Sequence, residues 1–337
     1  MGKIIPVFIP HAGCPHQCVF CNQRTISGQK DSGINAARAQ IEKYAAWTKL
    51  SAENELAFYG GSFTALPFAF QEELLELAGK YRTKGLIGKI RVSTRPDYIN
   101  RTALALLKQY GVKTVELGAQ SLDDRVLAKA ERGHTGTQVT EAVELLKAEG
   151  FIVGLQFMVG LPGQDWDSLR DTLKQAIALK PAIARIYPLL VVQGTALAES
   201  YAEGKYRPLT LDEAVEQTFY LYQGLTENGI KVIRMGLQPD AELCEEGNIL
   251  AGPFHPSFGE LVKSYGYKIA IKKQIDALPS GKYEMTIVHP AKLASIIRGM
   301  HKANLKFWEA EGKVKVKFAE GDKFNIIIIC HTDKNTI

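Results

Sequence analysis

Three cysteines fall within eight residues, Cys14, Cys18 and Cys21, in a Cys-x3-Cys-x2-Cys array. Two more, Cys244 and Cys330, stand alone, and Cys330 ends an apolar strand where a thiol packs as a small hydrophobe. An odd count in a 337-residue chain argues against a disulfide framework. The start, 1–10, has no basic region followed by a long apolar core, so no signal peptide is expected there. In a reducing compartment, closely spaced thiols are metal ligands. A closed structural zinc site wants four protein ligands, and only His11 or His16 could supply the fourth nearby. The alternative is a [4Fe–4S] cluster on three thiolates, which leaves one iron open to chelate a small molecule.

Such a loop needs a scaffold, and strand-like and helix-like segments alternate behind it. Strands are expected at 3–9, 55–59, 89–93, 114–117, 151–159 and 184–187. Amphipathic helices are expected between them, at 36–47, 71–81, 102–110, 123–130, 138–149 and 166–179. Thr210 to Glu213 reads as a capping box that opens a helix to about Asn228. About six βα units before residue 235 predict an α/β fold, a partial and open (β/α)6 barrel over 1–235. A smaller α+β domain is expected over 236–337. In parallel sheets chemistry gathers at the carboxyl ends of strands. Gly60-Gly61-Ser62, Ser93, Gln120-Ser121 and Gly160 to Gly163 all fall at such ends.

Composition agrees with a folded enzyme-sized chain: 46% hydrophobic and 23% charged residues exclude intrinsic disorder. No run approaches the roughly 18–20 apolar residues of a membrane span, so a soluble cytoplasmic protein without membrane partners is expected. Net charge is +5, but it is uneven: 261–317 carries 12 Lys and Arg against 4 Asp and Glu, a net +8. A polyanion-binding surface has that character, and so does a solvated lysine-rich face.

The cysteine spacing, with Phe20 just before the last Cys, resembles the signature of radical S-adenosylmethionine (SAM) enzymes. Gly13 to Asn22, Phe58 to Thr64, Ser93 to Asp97, Val115 to Ser121, Arg132 to Thr135, Gly160 to Gly163 and Ile186 to Thr195 are similar to the Elongator catalytic-subunit (Elp3-like) group. A coproporphyrinogen dehydrogenase-like group shares some of these elements but not Arg-Gly-His-Thr. The resemblance covers about residues 1 to 240. It implies Cys14, Cys18 and Cys21 as cluster ligands, with SAM on the open iron, cleaved reductively to a 5′-deoxyadenosyl radical. By motif position, Gly60, Gly61 and Ser62 would meet the SAM amino group, and Ser93 and Arg132 the ribose and carboxylate. Gln120 and Gln156 would contact SAM at strand ends, and Pro188 and the backbone near Phe20 would flank the adenine. Each polar residue has a plain alternative as a cap or loop anchor, and Glu116 could form a buried ion pair with an Arg instead of touching ligand.

The resemblance further implies an RNA substrate, tRNA, and an electron donor such as flavodoxin or ferredoxin. A small molecule such as a porphyrin, and a non-catalytic nucleic-acid-binding metalloprotein, are the competing functions. Two departures matter: no acetyltransferase segment follows the core, and Gly247 to Val262 differs from Elongator. The segment from Tyr283 onward reads β-α-α-β-β and looks like a KH-type RNA module, or else like a cap on the barrel. A KH loop uses Gly-x-x-Gly, and here Gly299 is present but position 302 is Lys.

Overall fold

The computed structural model describes residues 3–331 except 11, 28–30, 32, 48 and 240–242. The chain forms two compact units, Met1–Pro256 and Ser257–Ile337. That boundary lies 21 residues beyond the expected one at 235/236. The cause is local pairing: Ile249–Ala251 forms an antiparallel ladder with Val191–Val192, and Gln193 N donates to Asn248 O at 2.9 Å. Residues after 235 are thereby tied to the first unit.

In the first unit the strands are β1 (Ile4–Ile9), β2 (Glu55–Gly60), β3 (Lys89–Thr94), β4 (Val112–Gln120), β5 (Ile152–Val159), β6 (Ile183–Pro188), β7 (Val191–Val192), β8 (Lys231–Met235) and β9 (Ile249–Ala251). Seven of them make one parallel sheet, in the order β1-β2-β3-β4-β5-β6-β8. The six expected strands are present, and β8 is a seventh. Its Lys231 and Arg234 interrupt the apolar run by which a buried parallel strand is recognised. The helices are α1 (Gln23–Ser27), α2 (Ile34–Trp47), α3 (Phe68–Thr83), α4 (Arg101–Gln109), α5 (Asp124–Lys129), α6 (Gly136–Ala148), α7 (Trp166–Leu179), α8 (Ala196–Ala202) and α9 (Leu211–Glu227).

Sequence chemistry sets the helix starts. Asn100, Asp123 and Thr195 accept N–H groups from the first turns of α4, α5 and α8. Thr135, Asp165 and Thr210 form reciprocal capping boxes on α6, α7 and α9, each cap worth about 1 kcal/mol. One face of the sheet, with Val7, Leu56, Phe58, Ile90, Val92, Val115, Leu117, Val153, Leu155 and Ile186, packs against the helices as the main core. Residues of opposite parity, Tyr59, Arg91, Glu116 and Arg185, project from the other face and are polar.

The second unit holds α10 (Phe258–Asp276), β10 (Lys282–His289), α11 (Ala294–Arg298), α12 (Ala303–Glu309), β11 (Val314–Glu320) and β12 (Asn325–His331). Its sheet has the order β11-β10-β12, with β10 parallel to β11 and antiparallel to β12. Met285, Ile287, Ile297, Trp308 and Val316 form its core with Ile271 and Ile275 of α10. The β-α-α-β-β order matches expectation. The 19-residue α10 was not expected, because lysines at 263, 268, 272 and 273 break any single apolar stripe and Gly266 sits mid-helix. Among the described residues no helix is long and apolar enough to cross a membrane.

Candidate active site

The loop after β1 carries all three clustered cysteines, with Cys18 buried and Cys14 and Cys21 half-buried. Two glycine approaches bring it against the end of β2. A Cβ on Gly61 would lie 1.8 Å from Ala12 O, and one on Gly13, where φ is +73°, would lie 2.3 Å from Ser62 O. Only glycine fits either place.

Ser62 is fully buried. Its hydroxyl lies 3.0 Å from Thr94 Oγ1 and accepts the Arg95 N–H at 3.3 Å. It therefore anchors the β2 turn onto the end of β3. Ser93, together with Ile9, Tyr59 and Gly61, lines a small crevice between the same strand ends. Phe20 belongs to a buried cluster with Met158, Leu161, Leu189 and Leu197, at and just after the ends of β5 and β6, and Pro188 ends β6 opposite Val159.

Arg132, on the loop between α5 and α6, reaches back over β4. Its Nη2 donates to Gly118 O at 2.6 Å and its Nη1 to Cys18 Sγ at 3.1 Å. The missing side chain of Gly118 leaves space for this: a Cβ there would meet Gln120 Nε2 at 3.1 Å and Arg132 Nη2 at 3.3 Å. Arg132 is 7% exposed, and its buried Nε has no partner. Arg95 donates to both Asp97 oxygens at 3.0 Å and to the Arg132 carbonyl, while its buried Nη1 is unpartnered. Gln120 has a left-handed backbone, φ 66°, and its amide oxygen accepts from Gln156 Nε2 at 3.4 Å. Strain at a polar strand end is typical of functional positions.

His134 sits 5% exposed with Nε2 3.2 Å from Ala119 O. A carbonyl only accepts, so Nε2 carries the hydrogen and the buried, unpartnered Nδ1 is a bare lone pair. Burial, then the Arg132 and Arg95 charges, press its pKa down to about 3, so the ring is neutral. His16 lies over Gly133, where a Cβ would come within 2.5 Å of the imidazole.

Deeper in the sheet, Glu116 of β4 accepts from Arg91 of β3 and from Arg185 of β6, and Tyr59 donates to it at 3.3 Å. Arg91 also pairs with Glu55 at 2.6 Å. Gly154 opens the space Glu116 needs, since a Cβ there would sit 3.0 Å from Glu116 Cγ. Burial, then the Glu116 charge, push the Tyr59 phenol well above its ordinary range and keep it a donor. The alternative role for Glu116, a buried ion pair, is the one observed. Arg91 and Arg185 escape motif reading, and Tyr59 enters it only as part of the 58–64 run, with no role assigned. Their signal is a charged or phenolic residue on the alternate face of otherwise buried strands.

Among the described residues no three His, Cys, Asp or Glu side chains converge tightly enough to hold a metal ion, and His11 lies outside those residues. The donor chemistry nevertheless fits an iron–sulfur cluster: three thiols on one short loop, one of them accepting an N–H from a permanent cation.

The sequence profile of the Radical SAM superfamily matches residues 8–176, and that of the Radical_SAM C-terminal domain residues 181–268. A Methanocaldococcus jannaschii protein of unassigned function is 33% identical over 221 residues, 62% of this chain and 67% of its own length. The tRNA uridine(34) acetyltransferase of the same organism is 26% identical over 310 residues, 80% of this chain and 56% of that protein. Human Elongator complex protein 3 is 28% identical over 256 residues, 61% of this chain and 46% of its own length. The chain thus spans about half the length of these last two relatives. Among solved structures, the archaeal Methanocaldococcus infernus Elp3 with an N-terminal deletion aligns with a TM-score of 0.65 and 25% identity, over 80% of this chain and 63% of that one.

Proposed function

The chain belongs to the radical SAM superfamily, and from that premise we propose that it modifies RNA, most specifically tRNA, by radical chemistry. Cys14, Cys18 and Cys21 would hold a [4Fe–4S] cluster and leave it open to SAM. Bound there, and given one electron by a flavodoxin- or ferredoxin-type donor, the pair would supply the radical chemistry: reductive cleavage of SAM to methionine and a 5′-deoxyadenosyl radical able to abstract a hydrogen atom. The observation that carries this reading is Arg132: one guanidinium touches both the cysteine loop and β4 and keeps a buried N–H unspent.

The chain's own residues bind and orient. Arg132 presents a planar, permanently charged fork to the SAM carboxylate. Arg95 holds the Arg132 backbone, and Ser62 and Thr94 hold the Gly60-Gly61 turn whose backbone faces the amino group. Gln120 offers an amide at the end of β4 and Gln156, which lies within β5 and not at its end as the sequence suggested, offers one beside it; Ser93 offers a hydroxyl toward the ribose. Phe20 and Pro188 wall off the adenine and exclude water. RNA as substrate is supported by the relatives named for tRNA uridine(34) and by the +8 segment at 261–317.

The test is anaerobic reconstitution followed by measurement of 5′-deoxyadenosine, with dithionite or reduced flavodoxin, with and without bulk tRNA. The expected outcome is turnover raised by tRNA, and loss of iron and turnover in Cys14→Ala, Cys18→Ala and Cys21→Ala. A reconstituted chain that binds SAM but never cleaves it, or cleavage indifferent to every RNA offered, would sink the corresponding half of the reading.

A further inference from the structure

The family profiles end at residue 268, inside α10, and leave most of the second unit unassigned. Its cations are not evenly placed. Lys302 caps α12 and Lys306 lies in its first turns, and Lys263 and Lys268 lie five residues apart, about 1.4 turns, on α10, which α12 packs against. The seam between the two helices is tied at three points. Asn304, 4% exposed, donates its amide to Ser264 O, Ser264 Oγ and Ile297 O, at 3.1, 2.9 and 2.9 Å. The Trp308 indole donates to Lys268 O at 3.0 Å, and the Lys268 ammonium lies 4.3 Å from the centroid of the half-exposed Phe307 ring. Among the described residues none of Lys263, Lys268, Lys302 and Lys306 is in an ion pair. Lys272, one turn further along α10, is neutralised by Asp276 and Glu311.

The loop that enters α12 is built to hold its charges out. Gly299 has φ +74°, and a Cβ there would fall 2.9 Å from Asn304 Cγ. His301 and Lys302 then both take left-handed backbone, φ 51° and 61°, a conformation that side-chain-bearing residues seldom hold. Lys302 occupies the place where a Gly-x-x-Gly loop would end, and it keeps the backbone shape a glycine would give while adding a cation. Sequence reading alone counts that position as a broken clamp. In the fold it is an intact loop with a charge on it, and His301 and Lys302 are both exposed.

We propose that this loop and the α10–α12 seam form a binding site for the sugar–phosphate backbone of single-stranded RNA, with Lys302, Lys306, Lys263 and Lys268 meeting phosphates and Phe307 offering a ring for a base. The proposal rests on the RNA reading above and gives that reading a place within the second unit. Lysines are point charges without the fixed fork that reads bases, so binding is sequence-tolerant and salt-sensitive.

The test is fluorescence anisotropy with labelled tRNA and a 12-nucleotide RNA, titrated with full-length protein at several salt concentrations. Lys302→Glu/Lys306→Glu is expected to weaken binding about 30-fold and to lower the slope of log affinity against log salt by about two. Lys302→Gly is expected to melt at or above the wild-type temperature yet lower the slope by about one. Lys315→Glu/Lys323→Glu makes the same charge change outside the seam and is expected to stay within threefold of wild type. Equal losses in both double variants would overturn the site while leaving RNA as substrate. So would wild-type binding to anionic lipid vesicles that depends on Lys302 and Lys306 while RNA binding does not. A wild-type protein that binds no RNA at any salt would remove both readings together.

Discussion

Arg185 and Arg132 are both largely buried in the first unit, and their surroundings differ in one respect. Arg185 lies in the wall of the half-barrel, where Glu116 meets its charge and Tyr59 and Tyr187 take further N–H groups. Arg132 lies at the carboxyl edge, where its N–H groups go to a carbonyl and a thiol, one stays unpaired, and no carboxylate among the described residues pairs with it. A buried guanidinium without a counter-anion is unfavourable, which is why the proposed function gives Arg132 the SAM carboxylate. The wall therefore spends its charges on itself, whereas the edge holds one in reserve.

The largest test of that contrast is Glu116→Gln. It leaves Arg91 and Arg185 with too little negative charge and should cost about 3–5 kcal/mol, a fall of roughly 10 °C in melting temperature for a unit of this size. A loss below about 1 kcal/mol, as for solvent-screened pairs, would mean that the wall is wet and the contrast void. Arg132→Met should do the opposite. Its melting temperature without SAM should stay within a few degrees of wild type. SAM affinity of the reconstituted protein, by equilibrium dialysis, should drop about 10- to 100-fold, the worth of one or two charge-assisted hydrogen bonds. Arg132→Lys should recover only part of that loss. Destabilisation of Arg132→Met equal to that of Glu116→Gln would show that Arg132 is structural too.

His134 gives the smallest effect and reads the field at the edge. Its pKa is about 3 in the folded chain against an ordinary 6.5, so below about pH 6.5 the unfolded state takes a proton that the folded state refuses. Stability then falls as pH drops, by at most about 1.4 kcal/mol per pH unit. Between pH 7 and 5.5 wild type should lose about 1 kcal/mol more than His134→Gln in parallel urea titrations. Coincident pH profiles would mean that the Arg95–Arg132 field does not reach the ring.

Much of this molecule is legible in its amino acids because the signals are local. Thiol spacing, glycines at strand ends and the Thr210 capping box each act within a few residues, and the glycines and the Thr210 box appear where expected. Longer-range features were less visible. The partners of Glu116 lie 25 and 69 residues away along the chain, on strands whose register only the sheet sets. The domain boundary moved because a three-residue strand at 249–251 finds its mate at 191–192. The α10 helix gave no periodic stripe because its stability comes from packing on α12 and the second sheet, through Ser264, Ile271 and Ile275.

Taken alone, the residues determined that three thiols would share a loop at the head of a parallel βα scaffold, and that excess positive charge would gather near the carboxyl-terminal end. Those are properties of composition and short spacing. Only the tertiary structure decided which arginine is neutralised and which is not, because neutralisation depends on strand neighbours far apart in the chain. Only the fold, too, turned Lys302 from a misplaced residue into the end of a left-handed loop, φ 61°, two residues before the Asn304 tie to α10.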